Sequence, residues 1–196
     1  MKNLAILVSG NGSNMKSIIN STKYGILKGF AKVVLVISNN PSAYALERIK
    51  TEQIKSVCIE IKNFKNENEF NDKILNELKS MEIDIVCLAG YLKKINKKII
   101  ITYKGKILNV HPALLPKFGG KGMYGNRVHK AVIMSNAKKS GATVHLVEGD
   151  YDIGKIILQK EIKILKTDTY QNVAKKVLSI EHHIYPKAIK KIIHKL

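Results

Sequence analysis

Five short apolar runs in the first 111 residues do most to narrow the folds open to this chain. They are "LAILVS" (4–9), "KVVLVIS" (32–38), "SVCIEI" (56–61), "DIVCLAG" (84–90) and "KILNVH" (106–111). Each is close to continuous rather than alternating, the pattern of a strand covered on both faces, as in a parallel sheet. Helical spacing lies between several of them. Met15, Ile18 and Ile19 follow the first run. Ala45, Leu46 and Ile49 follow the second, with Ser42 placed as a cap. Phe70, Ile74, Leu75 and Leu78 mark a helix over about 68–80. Two later strands, "ATVHLVE" (142–148) and "GKIILQKEIKI" (154–164), are separated by little more than "GDYD", which suits a hairpin. A last helix runs from about Tyr170 to the C terminus, with a break expected near Pro186. The pattern predicts an α/β fold: a Rossmann-like, mostly parallel twisted sheet with helices on both faces and an antiparallel element near the C-terminal end of the sheet. With 196 residues and 45% hydrophobic content, one domain over residues 1–196 accounts for the chain.

The formal net charge is +19, from 34 Lys+Arg against 15 Asp+Glu. Such a field attracts polyanions. The lysines are nevertheless spread along the whole chain, Arg48 and Arg127 are the only arginines, and the aromatic residues form no stacking run. That argues against nucleic acid as the main partner. No stretch of eighteen apolar residues occurs, so no membrane span is expected. The N-terminal run is too short for a signal peptide and lacks a small-residue cleavage site, so it reads as a first strand and the protein as cytoplasmic. Cys58 and Cys87 sit in apolar runs without CxxC spacing and read as buried free thiols. His129, His145, His182, His183 and His194 show no HExxH or Cys/His spacing, so no metal site is expected.

Ligands of such sheets bind beyond the carboxyl ends of the strands, and the polar interruptions of the sequence fall there. In "SGNGSN" (9–14), Gly10 and Gly12 permit a tight turn, and Ser13 or Asn14 would start a helix whose free N–H groups favour an anion. The third glycine of a dinucleotide fingerprint is missing and no GK[ST] follows. A small phosphate therefore suits the turn better than a dinucleotide or a nucleoside triphosphate, and a plain turn with a serine cap is the competing reading. In "NVHP" (109–112), strand alternation puts Asn109 and His111 on one face. A carboxamide that stabilises an oxyanion and an imidazole that moves a proton suit a reaction at a carbonyl carbon. A satisfied structural histidine competes with that reading. The absence of a Ser or Cys nucleophile signature favours direct attack by a bound substrate. Asp152, in "EGDYDIG", would orient His111 if the hairpin folds beside that strand end.

Taken in order, "SGNGSN", "LAGYLKKI", "ILNVHPALLPKFGGKGMYG", "GATVHLVEGDYDIGKIIL" and "EHHIYP" resemble the phosphoribosylglycinamide formyltransferase family over essentially the whole chain. The resemblance implies transfer of a formyl group from 10-formyltetrahydrofolate, as co-substrate, to the amine of glycinamide ribonucleotide in purine synthesis. It implies no metal and no covalent enzyme intermediate, and it leaves a homodimer open. By the same resemblance, Asn109, His111 and Asp152 are the catalytic trio. Gly12, Ser13, Asn14 and Glu181 bind the ribonucleotide. Leu88, Ala89, Gly90, Tyr91, Leu92 and Asn109, with Val147, Glu148, Gly149 and Asp150, line the folate pocket. His129 and Lys117 are further candidates near the substrates by motif position. Related methionyl-tRNA and sugar-amine formyltransferases typically carry Arg-Gly after the LLP segment, where "KFGGKG" stands here. The tRNA enzyme also has a C-terminal domain, for which there is no room, and the related hydrolase has an N-terminal domain, whereas this chain starts at strand one. Two departures stand out. Lys94 and Ile95 occupy positions where the family often has two apolar residues, and Phe64–Phe70 offers Lys65 and no Arg.

Overall fold

The computed structural model describes all residues from Met1 to Leu196. Its elements are β1 (Lys2–Val8), α1 (Ser13–Tyr24), β2 (Ala31–Ser38), α2 (Tyr44–Ile49), β3 (Lys55–Cys58), α3 (Glu67–Ser80), β4 (Ile85–Leu88), α4 (Lys97–Thr102), β5 (Ile107–His111), α5 (Asn126–Met134), β6 (Lys139–Leu146), β7 (Ile156–Lys163) and α6 (Tyr170–Ile193). The seven strands form one sheet in the order β3-β2-β1-β4-β5-β6-β7. The first five are parallel, β6 is added antiparallel to β5, and β7 is added antiparallel to β6. This is the mixed α/β sheet that the sequence predicts. The chain winds outward from β1 to β3, then returns to β4 on the other side of β1, so a topological switch point lies between β1 and β4. Crevices form at such points, beyond the carboxyl ends of the strands.

Side-chain alternation divides the core into two layers. Leu4, Ile6 and Val8 of β1, with Ile85 and Cys87 of β4, pack on the face covered by α1 and α6. Ala5 and Leu7, with Val86 and Leu88, pack on the opposite face against Phe70, Ile74, Leu75 and Leu78 of α3. A strand buried on both faces has no polar position to spare, which is why these runs are continuous. The outer strand β7 shows Lys160, Glu161 and Lys163 to solvent, charges that discourage pairing with another edge. No helix is long and apolar enough to cross a membrane.

Several details differ from the sequence reading. Helix α6 runs through Pro186 without a break. Pro186 has no N–H for the carbonyl of His182, four residues back, and that carbonyl instead accepts the Ser17 hydroxyl at 3.1 Å. Ser42 does not cap α2: the cap position is Ala43, with no side-chain hydrogen bond. Cys58 is exposed, because β3 is a short edge strand, whereas Cys87 is fully buried. Helices α4 and α5 were not legible. The first reads "KKIIIT", a β-branched run held as a helix by the Asn96 side chain, which accepts from the Ile99 N–H at 3.0 Å.

Candidate active site

Three strand ends are stitched together at the switch point by Ser9. Its N–H donates to the Gly90 carbonyl at 3.1 Å, and its hydroxyl accepts from the Leu92 N–H at 2.9 Å and donates to Asn39 Oδ1 at 2.5 Å. Beyond these ends lies a cavity of about 700 Å³. It is walled by the turn Gly10–Asn14, the segment Leu88–Ile95, the end of β5, the loop Gly120–Asn126, the turn Gly149–Asp152, and one side of α6 through Ala174, Leu178 and Glu181.

At the floor, one carboxylate oxygen gathers the polar groups. Asp152 Oδ1 lies 3.3 Å from His111 Nδ1, 3.3 Å from Asn109 Nδ2 and 3.8 Å from His145 Nε2. Its other oxygen accepts the Gly120 N–H at 2.9 Å. Burial alone would raise the Asp152 carboxyl; hydrogen bonding from His111 and the Gly120 N–H outweighs it and holds the group well below the usual carboxylate range. His111 is only 3% exposed, and its Nε2 lies 2.8 Å from the Phe118 carbonyl. Both of its neighbours are acceptors, so the ring that satisfies them together is the doubly protonated one.

His145 completes the cluster. It is the register partner of Asn109 across β5 and β6, and a bulge between Val144 and His145 re-aims the strand there. Its Nδ1 lies 2.8 Å from the Leu146 carbonyl, which makes Nδ1 the donor and leaves Nε2 to accept from Asn109 Nδ2 at 3.1 Å. Asp152 itself adopts a left-handed backbone, φ 57°, which the short polar side chain tolerates better than most. The turn is closed at Gly154, where a Cβ would come within 1.9 Å of the Leu146 carbonyl oxygen.

The other end of the cavity is the glycine turn. Gly12 has φ 78°, and a Cβ there would lie 2.7 Å from the Ala45 Cβ, so only glycine lets α2 pack this close. No side chain caps the first turn of α1, and its leading N–H groups have no intrahelical acceptor. Asn14 donates to Glu181 Oε2 at 2.5 Å, while its own Oδ1 is buried with no partner. Burial pushes the Glu181 carboxyl up to about 7, against the Asn14 hydrogen bond and the charge of His111.

Of the residues singled out from sequence, Gly12, Ser13, Asn14, Glu181, Leu88 to Leu92, Asn109, His111, Val147, Gly149, Asp150 and Asp152 all line this cavity, as does His129. Glu148 does not: it is exposed, and its carboxylate accepts the Lys155 N–H at 2.9 Å, closing the hairpin turn. Lys117 lies on the far side of its loop, on a separate cavity with Leu114 and Phe118. Sequence reasoning missed His145 and the Phe118 carbonyl. His145 was visible as a polar residue in a buried strand, but its partner depends on an antiparallel register that the sequence does not encode locally.

The fold and this polar floor define a class: Rossmann-like enzymes that move an acyl-type group between bound substrates. Comparison with known proteins makes the class specific. A family model described as formyl transferase matches residues 2–189, and the chain belongs to that family. It is 38% identical to the phosphoribosylglycinamide formyltransferase of Haemophilus influenzae, an alignment covering 97% of this chain and 86% of that protein. It is 35% identical to the Bacillus subtilis enzyme of the same name, covering 98% and 95%. The chain spans only 60% of the chloroplastic relative from Vigna unguiculata, to which it is 38% identical over 96% of its own length. Its structure superposes on the crystal structure of phosphoribosylglycinamide formyltransferase from Bacillus halodurans with a TM-score of 0.91 at 34% identity, over 99% of this chain and 96% of that one.

Proposed function

We propose that residues 1–196 act as a formyltransferase domain that passes the formyl group of 10-formyltetrahydrofolate to the primary amine of glycinamide ribonucleotide. The observation that carries this reading is the convergence of His111 and Asn109 on one oxygen of Asp152, in a cavity whose far end is an uncapped helix N-terminus. That turn suits the phosphate of the ribonucleotide, and Glu181 with Asn14 suits its ribose hydroxyls. The apolar wall from Leu88 to Leu92 and the backbone of Val147–Asp152 suit the flat folate ring.

In this scheme the amine nitrogen attacks the formyl carbon, and the carbonyl oxygen becomes an oxyanion. Asn109 and cationic His111 stabilise that charge; the longer Asn109 contact to Asp152 is the one the oxyanion displaces. Cationic His111 gives a ring proton to the leaving folate nitrogen, and the neutral ring then takes the surplus proton of the amine. The bond between that nitrogen and the carbon then breaks, leaving formylated ribonucleotide and tetrahydrofolate. Asp152 keeps the ring oriented. No side chain forms a bond to the formyl carbon. The test is an assay with purified protein that follows tetrahydrofolate release. Turnover is expected only with ribonucleotide and formyl donor together; none with both present, or equal release without the ribonucleotide, overturns the reading.

A further inference from the structure

Arg48 and Arg127 are the only arginines among 34 basic residues, and Arg48 is built against the glycine turn. Its Nη2 donates to Asn11 Oδ1 at 2.9 Å, and its guanidinium carbon lies 4.9 Å from the centroid of the Tyr44 ring. Its Nε is buried with no hydrogen-bond partner. No carboxylate neutralises it: adjacent Glu47 is taken by Lys50 at 2.7 Å, and Glu52 is shared by Lys16 and Lys23. Helix α2 is fixed on the turn at two further points, by the Ala45 N–H donating to the Gly10 carbonyl at 3.1 Å and by the contact of Ala45 with Gly12. The turn, Asn11 and Arg48 are therefore tied to one another through α2. Asn11 lines the cavity, and beside it Asn14, 8% exposed, offers a buried Oδ1 that nothing in the protein satisfies.

We propose that Arg48 is a positioning residue for the phosphate end of the acceptor: it fixes Asn11 and supplies an uncompensated positive charge behind the turn that holds a phosphate monoester. The inference rests on the proposed ribonucleotide acceptor. It accounts for an arginine in so lysine-rich a chain, since only a planar guanidinium both stacks on Tyr44 and hydrogen-bonds Asn11 in a fixed direction.

Arg48→Met and Arg48→Lys test this, with Lys28→Met, an exposed position away from the cavity, controlling for loss of one charge. In steady-state turnover, Arg48→Met is expected to raise KM for the ribonucleotide about tenfold, with kcat and the KM for the formyl donor within about twofold; Arg48→Lys recovers part of the loss. Calorimetric binding of ribose 5-phosphate, which needs no turnover, is expected to weaken about tenfold in Arg48→Met and to stay unchanged in Lys28→Met. Wild-type binding of ribose 5-phosphate by Arg48→Met, or an equal loss in Lys28→Met, overturns the role of Arg48. A wild-type protein that binds ribose 5-phosphate but transfers no formyl group overturns the proposed reaction and leaves the role of Arg48 to the binding result. One that neither binds nor turns over overturns both.

Discussion

The residue that organises the site is Asp152, because two side chains and a backbone N–H meet on its carboxylate. Asp152→Asn keeps the shape but removes the charged oxygen that faces His111 Nδ1 at 3.3 Å. We expect kcat to fall by about 10²- to 10⁴-fold with the far-ultraviolet circular dichroism unchanged; a rate within a few-fold of wild type would take Asp152 out of the mechanism. Glu181 is the opposite case. Burial raises its carboxyl from an ordinary 4.5 to about 7, so the native state binds that proton more tightly than the unfolded chain. The resulting stability is full below about pH 4.5 and is lost as pH rises through 7. Glu181→Gln, neutral throughout, escapes this loss. Between pH 5 and pH 8 the wild type should lose on the order of 3 kcal/mol more than the variant in urea unfolding. Parallel pH profiles for the two proteins would refute the assignment. The sequence made both acids visible, but not their opposite electrostatics. Asp152 meets its donors through the β5–β6 register, and Glu181 meets Asn14 across 167 residues of chain; neither approach leaves a local pattern.

At the scale of elements, most strands and the long helices were legible because burial on both faces and 3.6-residue periodicity each impose a composition. Helix α3 shows the gain: the four apolar residues expected on its inner face are the ones buried against the sheet. Elements escaped where a side-chain cap overrides the preference of a β-branched run, as Asn96 does in α4, or where one interaction replaces another, as at Pro186. Helix α6 survives its proline because Ser17 of α1 supplies the missing donor to the His182 carbonyl. A double-mutant cycle checks this. Ser17→Ala should cost about 1 kcal/mol in the parent chain and clearly less in a Pro186→Ala background, where the new N–H takes over the carbonyl. Equal costs in both backgrounds would mean that the hydroxyl does not compensate for the proline. The loop behind His111 has a similar hub. Buried Thr143 donates to the Ala113 carbonyl at 2.6 Å and accepts from the Leu115 N–H at 3.1 Å and Gln159 Nε2 at 2.8 Å, so β6 holds the segment that ends at Phe118.

For the whole molecule, the formal charge of +19 bears on encounter rather than on fold. Most lysines have no carboxylate partner, and Lys93, Lys94 and Lys121 stand on the wall of the cavity. Both proposed substrates are anions, one through its phosphate and the other through the carboxylates of its glutamate tail. A field spread over the whole surface accelerates such encounters without adding contacts in the bound state. The two effects separate by salt. Raising ionic strength from about 0.01 M to about 0.15 M shortens the screening length from roughly 30 Å to roughly 8 Å. We expect kcat/KM for each substrate to fall several-fold over this range while kcat holds, because His111 is buried and the Asp152 side chain is only 11% exposed, so the pair is screened little by salt. A flat kcat/KM would mean that the charge plays no part in capture. A fall in kcat of the same size would place the salt effect at the buried pair itself, and so would count against the separation of surface field from chemistry that the burial of His111 requires.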